Sequence, residues 1–292
     1  MANPARRLPE NVDRDFFVDA TCIDCDACRQ IAPATFRDHG DQSSVYRQPV
    51  TEEETRRALM ALVACPTGSI GTTKKHDARI GIDAFPTFVA DNIYFCGFTS
   101  EASFGAWSYL IVRPEEEGGN VLVDSPRFTN HLVRKIEALG GIETIFLTHR
   151  DDIADHDKFA RKFNARRVMH VADGAARLGV EGVVEDAGEH QLDGELLIIP
   201  TPGHTRGHCV LLYKNKFLFT GDHLAWSPAK QTLTAFRGVA WYSWPEQTRS
   251  MAKLLAHRFE WVLPGHGRIH HDTAEAMHAH LRGCVEWMQR TP

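Results

Sequence analysis

The chain has 292 residues, of which 43% are hydrophobic and 24% are charged, a composition typical of globular proteins with one or two domains. The formal net charge is -5, and Lys and Arg form no basic run, so we expect no nucleic-acid partner. No apolar run approaches the roughly 20 residues of a membrane span, and the N-terminus lacks the apolar stretch of a secretory signal, so we expect a cytoplasmic protein without a membrane partner.

The cysteines are concentrated near the N-terminus. Three of the seven form the pattern CxxCxxC, and a fourth follows later in the phrase ACPTGSI. The odd total and this clustering argue against a disulfide framework and indicate a metal centre in a reducing compartment. Between the two motifs, Thr51 to Glu54 is a capping box, which predicts a helix that runs to Val63 and delivers Cys65 at its end.

These motifs resemble a bacterial ferredoxin domain over about the first quarter of the chain, but the ligands of a second cluster are missing. The resemblance implies a ferredoxin-like domain over 12–72 with one 4Fe-4S cluster. Its implied ligands are Cys22, Cys25, Cys28 and Cys65. Two alternatives stay open, a four-cysteine zinc site and a cluster that is structural rather than redox-active.

The segment 73–90 is polar and shows no clear helical period, so we place the linker there and a second domain over 91–292. Apolar residues recur at helical spacing from Thr129 to Leu139. The next apolar run, Thr144 to Thr148, predicts a buried strand that ends at His149.

Five potential metal ligands lie within the eight residues that begin at this strand end. They are His149, Asp151, Asp152, Asp155 and His156. Carboxylates and imidazoles at this density need a cation, and this donor set suits zinc or iron better than calcium or magnesium. The alternative is a polar surface loop in which Asp155 caps a helix.

Three later strands end in the same way. The run Leu196–Pro200 leads to His204, the hairpin strand from Phe217 ends at Asp222, and the run from Glu260 leads to His266. Because open α/β sheets place their active sites at the carboxyl ends of strands, we expect these side chains to share one site.

Residues 80 to 292 resemble the metallo-β-lactamase fold superfamily, through THRDDIADH, PTPGHTRGH, FTGDH and LPGHG in that order. The resemblance implies an α+β fold, with a four-layer αβ/βα sandwich after the ferredoxin-like domain, and two divalent metals, Fe or Zn. Its implied first site is His149, His204, Asp222 and Asp151 or Asp152, and its second is Asp155, His156, His266 and the bridging Asp222. Asp155 and Asp222 are the implied catalytic residues.

The first motif departs from the family pattern HxHxDH because its second His is replaced and two residues are inserted. Two His and one carboxylate are typical of non-haem iron, and flavodiiron proteins and persulfide dioxygenases are similar. We therefore predict an oxidoreductase with a dinuclear iron site, a small-molecule substrate and a redox partner protein. Alternatives are a zinc hydrolase of thioesters, phosphoesters or lactones, a mononuclear-iron enzyme similar to persulfide dioxygenases, and an electron-transfer protein with an inactive site.

The roles of several further His and aromatic residues can be interpreted in two ways. His208 and His223 either orient ligands or simply pack nearby. The segment from Trp226 to Trp244 forms either a substrate wall or core. On the predicted C-terminal amphipathic helix, Met277, Leu281, Cys284, Val285 and Met288 face inward, and a solvated face is expected for His270, His271, His278 and His280.

Overall fold

A computed structural model describes residues 2–291. Its chain forms two compact units, of which the first reaches Val112 and also contains Pro126–Gly141. The second comprises Arg113–Ser125 and continues from Ile142. The expected linker at 73–90 lies inside the first unit, so the domain bounds stay a prediction. Within residues 2–291, no helix is both long and apolar enough to cross a membrane.

The first unit combines short strands with four helices in its described part. In chain order they are β1 (Phe16–Val18), α1 (Ala27–Ile31), β2 (Phe36–Asp38), β3 (Ser43–Val45), α2 (Glu52–Ala64), β4 (Ile70–Thr72), α3 (Arg79–Ile82), β5 (Thr87–Ala90), β6 (Ile93–Phe95), β7 (Tyr109–Ile111) and α4 (Asn130–Ala138). Strand β1 pairs antiparallel with β4, β2 with β3, and β6 with both β5 and β7.

Helix α2 begins as its sequence predicts. The Thr51 hydroxyl accepts a hydrogen bond from the Glu54 amide at 3.1 Å, and the Glu54 carboxylate accepts one from the Thr51 amide at 3.4 Å. Three acidic residues lie in the first turn, where their negative charge interacts favourably with the positive end of the helix dipole. The helix ends at Ala64, so Cys65 is the first residue to leave it, and the predicted helix is confirmed.

The second unit contains two larger groups of paired strands and one two-stranded sheet, with flanking helices. Its elements are β8 (Val121–Val123), β9 (Thr144–Phe146), α5 (His156–Phe163), β10 (Arg166–His170), α6 (Ala175–Leu178), β11 (Gly182–Val184), β12 (His190–Gln191), β13 (Leu196–Pro200), β14 (Cys209–Tyr213), β15 (Phe217–Gly221), β16 (Ala225–Ser227), β17 (Thr232–Thr234), α7 (Trp244–Lys253), β18 (Trp261–Pro264), β19 (His270–His271) and α8 (Ala274–Arg290). Strands β8, β9, β10 and β11 are parallel neighbours. The other sheet has the order β12-β13-β14-β15-β18-β19, and β16 pairs with β17.

The core of the second unit lies between the β12–β19 sheet and helices α7 and α8. All five residues of β14 and of β15 are buried, which explains why these strands read as continuous apolar runs rather than as alternating ones. The predicted inward face of α8 is confirmed, and its buried members are Met277, Leu281, Cys284, Val285 and Met288.

This topology brings several strand ends to common edges. Strands β8 and β9 run parallel, so Asp124 and His149 follow two neighbouring carboxyl ends. Strand β13 is antiparallel to β14, which is antiparallel to β15, and β15 is parallel to β18. The segments that carry His204, Asp222 and His266 therefore all leave the same edge of the second sheet.

Candidate metal centres

The four cysteines of the N-terminal motifs line one cavity together with Ser43, Thr67 and Ser69. Their loop turns tightly because Asp24 and Asp26 have left-handed backbones, with φ of 60° and 66°, a conformation that Asp tolerates better than most residues. The Cys22 sulfur accepts a hydrogen bond from the Ser43 amide at 3.4 Å, and the Cys65 sulfur accepts one from the Ser69 amide at 3.3 Å. The predicted ligand set is thus assembled around one space.

Thiolates at this position need a cation. Burial, together with the neighbouring Cys65 and Cys22, raises the pKa of the Cys25 thiol to about 12, and burial likewise raises the pKa of Cys28. Iron ions of a cluster supply the positive charge that ionised sulfur requires here. Gly105 (φ +84°) covers this loop so closely that a Cβ atom would lie 2.9 Å from the Cys25 sulfur. The residues present therefore fit a cluster.

A second centre surrounds Asp222 in the other unit. Its Oδ2 atom lies 3.8 Å from Nε2 of His149, 3.6 Å from Nε2 of His204 and 3.9 Å from Nε2 of His266. The donor atoms of His149, His204 and Asp222 lie within 4.8 Å of one another, and so do those of Asp152, Asp222 and His266. Asp222 belongs to both groups, so the geometry offers two adjacent metal positions that share one carboxylate.

Several donor atoms of these groups are buried without a hydrogen-bond partner among residues 2–291. They are Nε2 of His149, Nε2 of His204, Oδ1 of Asp222 and Oδ2 of Asp152. Buried polar atoms without partners are costly, and a divalent metal would satisfy all four. Gly265 preserves the space, because a Cβ atom there would lie 2.6 Å from Oδ2 of Asp152 and 3.0 Å from Oδ1 of Asp222.

The electrostatics of the centre also call for a cation. Burial lowers the pKa of His149 to about 4, so this imidazole is neutral at physiological pH and keeps a lone pair for a metal. Burial raises the pKa of Asp152 well above its ordinary value, and the carboxylates of Asp222, Asp124 and Asp151 add to this effect. A metal ion would offset the repulsion among these carboxylates.

Asp151 lies beside the first group. Its Oδ2 atom is 3.4 Å from Nε2 of His204, and this nearby imidazole lowers the pKa of Asp151. Burial opposes the charged form of His204, but Asp151 and Asp222 outweigh it and raise the pKa of His204. Asp151 is therefore a carboxylate beside His204, and its ligand role stays a prediction.

The structure departs from the prediction at Asp155 and His156, which belong to neither group of donor atoms. Oδ1 of Asp155 forms an ion pair with Lys158 at 2.7 Å. His156 is the first residue of α5, and the charged groups that act on it are Arg167, Asp157, Glu181 and Arg161.

Asp152 stands with Asp222 and His266 instead. The two residues inserted into the motif explain the difference, because the loop already reaches the second position at Asp152. Asp155 is the N-cap of α5 and His156 is its first residue. The predicted ligand and catalytic roles of Asp155 and the predicted ligand role of His156 stay predictions.

Asp124 supports His149 and was not predicted. Its carboxylate accepts hydrogen bonds from the Thr148 amide at 2.8 Å and from the Thr148 hydroxyl at 2.9 and 3.0 Å. The same hydroxyl lies 2.9 Å from Nδ1 of His149. Because the hydroxyl proton is used toward Asp124, Nδ1 of His149 is the donor, and Nε2 faces Asp222 as an acceptor. The only sequence signal for Asp124 is its place after an apolar strand.

Asp173 joins the two loops that carry His149 and His204. It is buried and accepts hydrogen bonds from the Arg150 amide at 3.1 Å, the Thr205 hydroxyl at 2.6 Å and the Gly207 amide at 2.7 Å. This residue lies outside every sequence motif, so nothing in its sequence context pointed to the role.

His208 and His223 pack behind the centre. Their rings lie 5.2 Å apart, and the His208 ring lies 5.1 Å from that of His149. Nδ1 of His208 contacts the Thr201 hydroxyl at 2.9 Å, while Nε2 of His208 and both nitrogens of His223 have no partner in the described part of the chain. Neither ring therefore orients a ligand through a hydrogen bond.

The aromatic segment forms part of the rim. The Tyr242 amide donates to the His204 carbonyl at 3.0 Å, which fixes this segment against the ligand loop. The Trp241 ring centre lies 6.2 Å from that of His204, and Trp241 is 62% exposed while Tyr242 is 48% exposed. Both side chains are available to a bound molecule.

Two family models match the chain. The metallo-beta-lactamase superfamily matches residues 103–266, and the 4Fe-4S single cluster domain of Ferredoxin I matches residues 18–72. Both resemblances proposed from the motifs are thereby confirmed, together with the predicted fold class.

The curated relatives are similar over part of the chain. A hydroxyacylglutathione hydrolase from Acidiphilium cryptum is 32% identical over 111 residues, which are 37% of this chain and 45% of that protein. Another from Mesorhizobium japonicum is 29% identical over 120 residues, which are 39% of this chain and 47% of that protein. The chain thus spans less than half the length of these relatives.

Two solved structures share the fold. A metallo-beta-lactamase from Pontibacter korlensis gives a TM-score of 0.52 at 16% identity, over 70% of this chain and 97% of that one. The structure of VMB-1 gives a TM-score of 0.51 at 18% identity, over 70% of this chain and 96% of that one. At these identities the likeness concerns the fold alone.

Proposed function

Because the chain belongs to the metallo-β-lactamase superfamily and carries a single-cluster 4Fe-4S domain, we propose that this metalloenzyme is an oxidoreductase whose dinuclear iron site exchanges electrons with the cluster. The observation that carries the proposal is a carboxylate-rich donor set in the same chain as an electron carrier. The set consists of His149, Asp151, Asp152, His204, Asp222 and His266.

Oxygen donors favour iron over zinc in this set. Half of the six side chains are carboxylates, and the group of His149, His204 and Asp222 has the two-imidazole, one-carboxylate composition that leaves positions open on non-haem iron. Hydrolysis consumes no electrons, whereas an iron pair that turns over a small oxidised molecule needs a supply of them. The 4Fe-4S cluster would donate these electrons, and a redox partner protein would reduce the cluster again.

The protein's own residues would hold and shape the site. When bound, two metal ions supply Lewis acidity and, as iron, one-electron chemistry. Asp222 would bridge them, since it belongs to both donor groups. Asp151 is 44% exposed and lies 3.4 Å from His204, so it would complete the first metal position. The exposed rings of Trp241 and Tyr242 would contact a small-molecule substrate.

The first test is elemental analysis of anaerobically purified protein. Iron, zinc and acid-labile sulfide are counted per chain, and Mössbauer spectroscopy separates cluster iron from non-sulfur iron. We expect about four sulfides and about six irons, four of them in the cluster. About five irons would indicate a single non-cluster iron. Four irons with one or two zincs would contradict the proposal.

The second test is electron transfer. The cluster is reduced anaerobically, the protein is then mixed with a solution of oxygen, a persulfide or another small oxidised molecule, and reoxidation of the cluster is followed by its absorbance. We expect at least one oxidant to reoxidise the wild-type cluster much faster than the cluster of His204→Ala, which lacks a ligand of the first metal. Equal rates in the two proteins would show that the second centre receives no electrons.

A zinc-dependent hydrolase is the second candidate, and the partial similarity to hydroxyacylglutathione hydrolases favours it. Such an enzyme would cleave thioesters, and its cluster would be structural or would sense redox state. Zinc-loaded protein is assayed against a series of glutathione thioesters with the cluster oxidised and reduced. Substantial turnover that does not need an electron donor would support the hydrolase and contradict the oxidoreductase.

A further inference from the structure

A third group of potential ligands lies near the C-terminus. It consists of His270 in β19, Asp272 in the following turn and His280 in α8, whose donor atoms lie within 4.8 Å of one another. We propose that these three side chains bind an additional divalent transition-metal ion, separate from the centre around Asp222.

The donor atoms converge without satisfying one another. Oδ2 of Asp272 lies 4.0 Å from Nε2 of His270 and 3.9 Å from Nε2 of His280, and both distances are too long for a hydrogen bond. Nε2 of His270 is buried and has no hydrogen-bond partner among residues 2–291. A metal ion bound at about 2.1 Å to nitrogen and oxygen can reach both members of such a pair.

The surrounding side chains already fix the three ligands. The indole of Trp226 stacks on the His270 ring, with ring centres 3.4 Å apart and planes 6° apart. The Thr232 hydroxyl lies 3.3 Å from Nδ1 of His280, which leaves Nε2 of His280 for a metal. Oδ1 of Asp272 accepts a hydrogen bond from the Thr273 amide at 2.7 Å, and Oδ2 stays available. Partners of this kind orient metal ligands in proteins.

This group is distinct from the centre around Asp222. None of its three side chains belongs to either donor group of that centre. A solvated face was predicted for four histidines, and at His270 and His280 the side chains are 20% and 27% exposed.

The donor set defines the class of ion. Two imidazoles and one carboxylate suit zinc, nickel, copper or iron rather than magnesium or calcium. The carboxylate is 40% exposed, so water can complete the coordination. The bound ion would tie β19 to α8 and, through Trp226 and Thr232, to the hairpin of β16 and β17. Its role would be to fasten the C-terminal helix.

The test compares zinc content after equilibrium dialysis of the full chain with its cluster intact. The variants are His280→Gln and Asp272→Asn, and the matched control is His278→Gln, which lies on the same helix but bonds the Leu255 carbonyl. We expect wild type and the control to retain about one more zinc per chain than either variant. Equal zinc content in all four proteins, or a loss in the control as well, would overturn the proposal.

Tryptophan fluorescence gives a second readout that does not depend on activity. Co²⁺ bound at His270 should quench the fluorescence of Trp226. Addition of Co²⁺ should therefore lower the emission of the wild type but not that of His280→Gln. The quenched component should be missing from Trp226→Phe, which lacks this indole. Circular dichroism and cluster absorbance show whether each variant is folded, and the nearly isosteric Asp272→Asn replaces any variant that is not. Identical quenching in wild type and in both folded ligand variants would refute the site.

Discussion

Nε2 of His149 finds no hydrogen-bond partner within residues 2–291, and the opposite side of the ring determines where it points. Thr148 contacts Nδ1, and Asp124 in turn binds Thr148 through its amide and its hydroxyl. The position of one donor nitrogen therefore depends on a carboxylate 25 residues earlier in the chain. This relation makes Asp124 a positioning residue rather than a ligand.

Asp124→Asn should weaken metal binding at the Asp222 centre. The amide replaces one of the two oxygens that accept from Thr148, so the His149 ring is less firmly held. Changes of this kind cost roughly 10- to 100-fold in metal affinity, which is measured by competition with a chromophoric chelator. Asp186→Asn, an exposed carboxylate, is the control. Unchanged affinity in Asp124→Asn would show that His149 needs no such support.

Gly265→Ala should empty the metal position at Asp152 and His266. The added methyl would lie 2.6 Å from Oδ2 of Asp152 and 3.0 Å from Oδ1 of Asp222, so the carboxylates must move apart. Gly283→Ala is the control, because open space surrounds that position. Replacing a Gly inside a helix with Ala stabilises the helix by about 1 kcal/mol. Metal content per chain is the measurement. Full occupancy in Gly265→Ala would place the second metal elsewhere.

At the scale of the elements, an ion pair joins β10 to the segment before β11. The guanidinium of Arg167 forms a two-pronged contact with Glu181, at 2.6 and 3.1 Å, and the Arg167 amide donates to the same carboxylate at 2.8 Å. Arg167 also donates to the Gly179 carbonyl. These bonds hold the parallel register of β10 and β11, next to strand β9, whose following loop carries His149.

The contribution of Glu181 should depend on pH. The hydrogen bond from Arg167 lowers the pKa of Glu181 to about 2, from an ordinary 4.5. Between these values the unfolded state binds the extra proton, so the stabilisation is complete above about 4.5 and is lost as the pH falls toward 2. The side chain is 49% exposed, so the effect is small.

The measurement is the urea midpoint of unfolding across this range, for wild type and Glu181→Gln. The variant should be less stable at neutral pH, and its difference from wild type should shrink in acid. A difference that stays constant as the pH falls would contradict the assignment.

At the scale of the whole molecule, the chain carries two metal systems built from different ligand chemistry. Sulfur ligands come from one short loop and the end of α2, while imidazole and carboxylate ligands come from loops that follow separate strands. The family models cover the two systems separately, at 18–72 and 103–266. Each system should therefore be removable without the other.

The prediction uses a pair of variants that serve as controls for each other. His204→Ala should lose the non-cluster metal and keep the sulfide content and the brown cluster colour, because it removes a ligand only from the first group. Cys25→Ala should lose the cluster and keep the non-cluster metal. Elemental analysis and visible absorbance measure both. Full metal content and activity in His204→Ala would contradict the assignment of that centre.

The sequence by itself determined the parts whose physics is local. The CxxCxxC loop, the capping box at Thr51 and the apolar strands that end in His149, His204, Asp222 and His266 are set by close chain neighbours. Strand ends of this kind meet at the edge of a sheet wherever the strands point the same way. The sequence could therefore predict the fold class and most of the candidate ligands.

Tertiary structure decided the parts that depend on where a loop turns and what packs beside it. Asp152 forms a donor group with Asp222 and His266, and this placement depends on how the loop folds before α5 begins at His156. Asp124, Asp173 and the group at His270 are joined to their partners only by packing between distant segments. Spacing along the chain holds no record of such contacts, since the direction of each loop is fixed by burial and hydrogen bonds that form only in the folded protein.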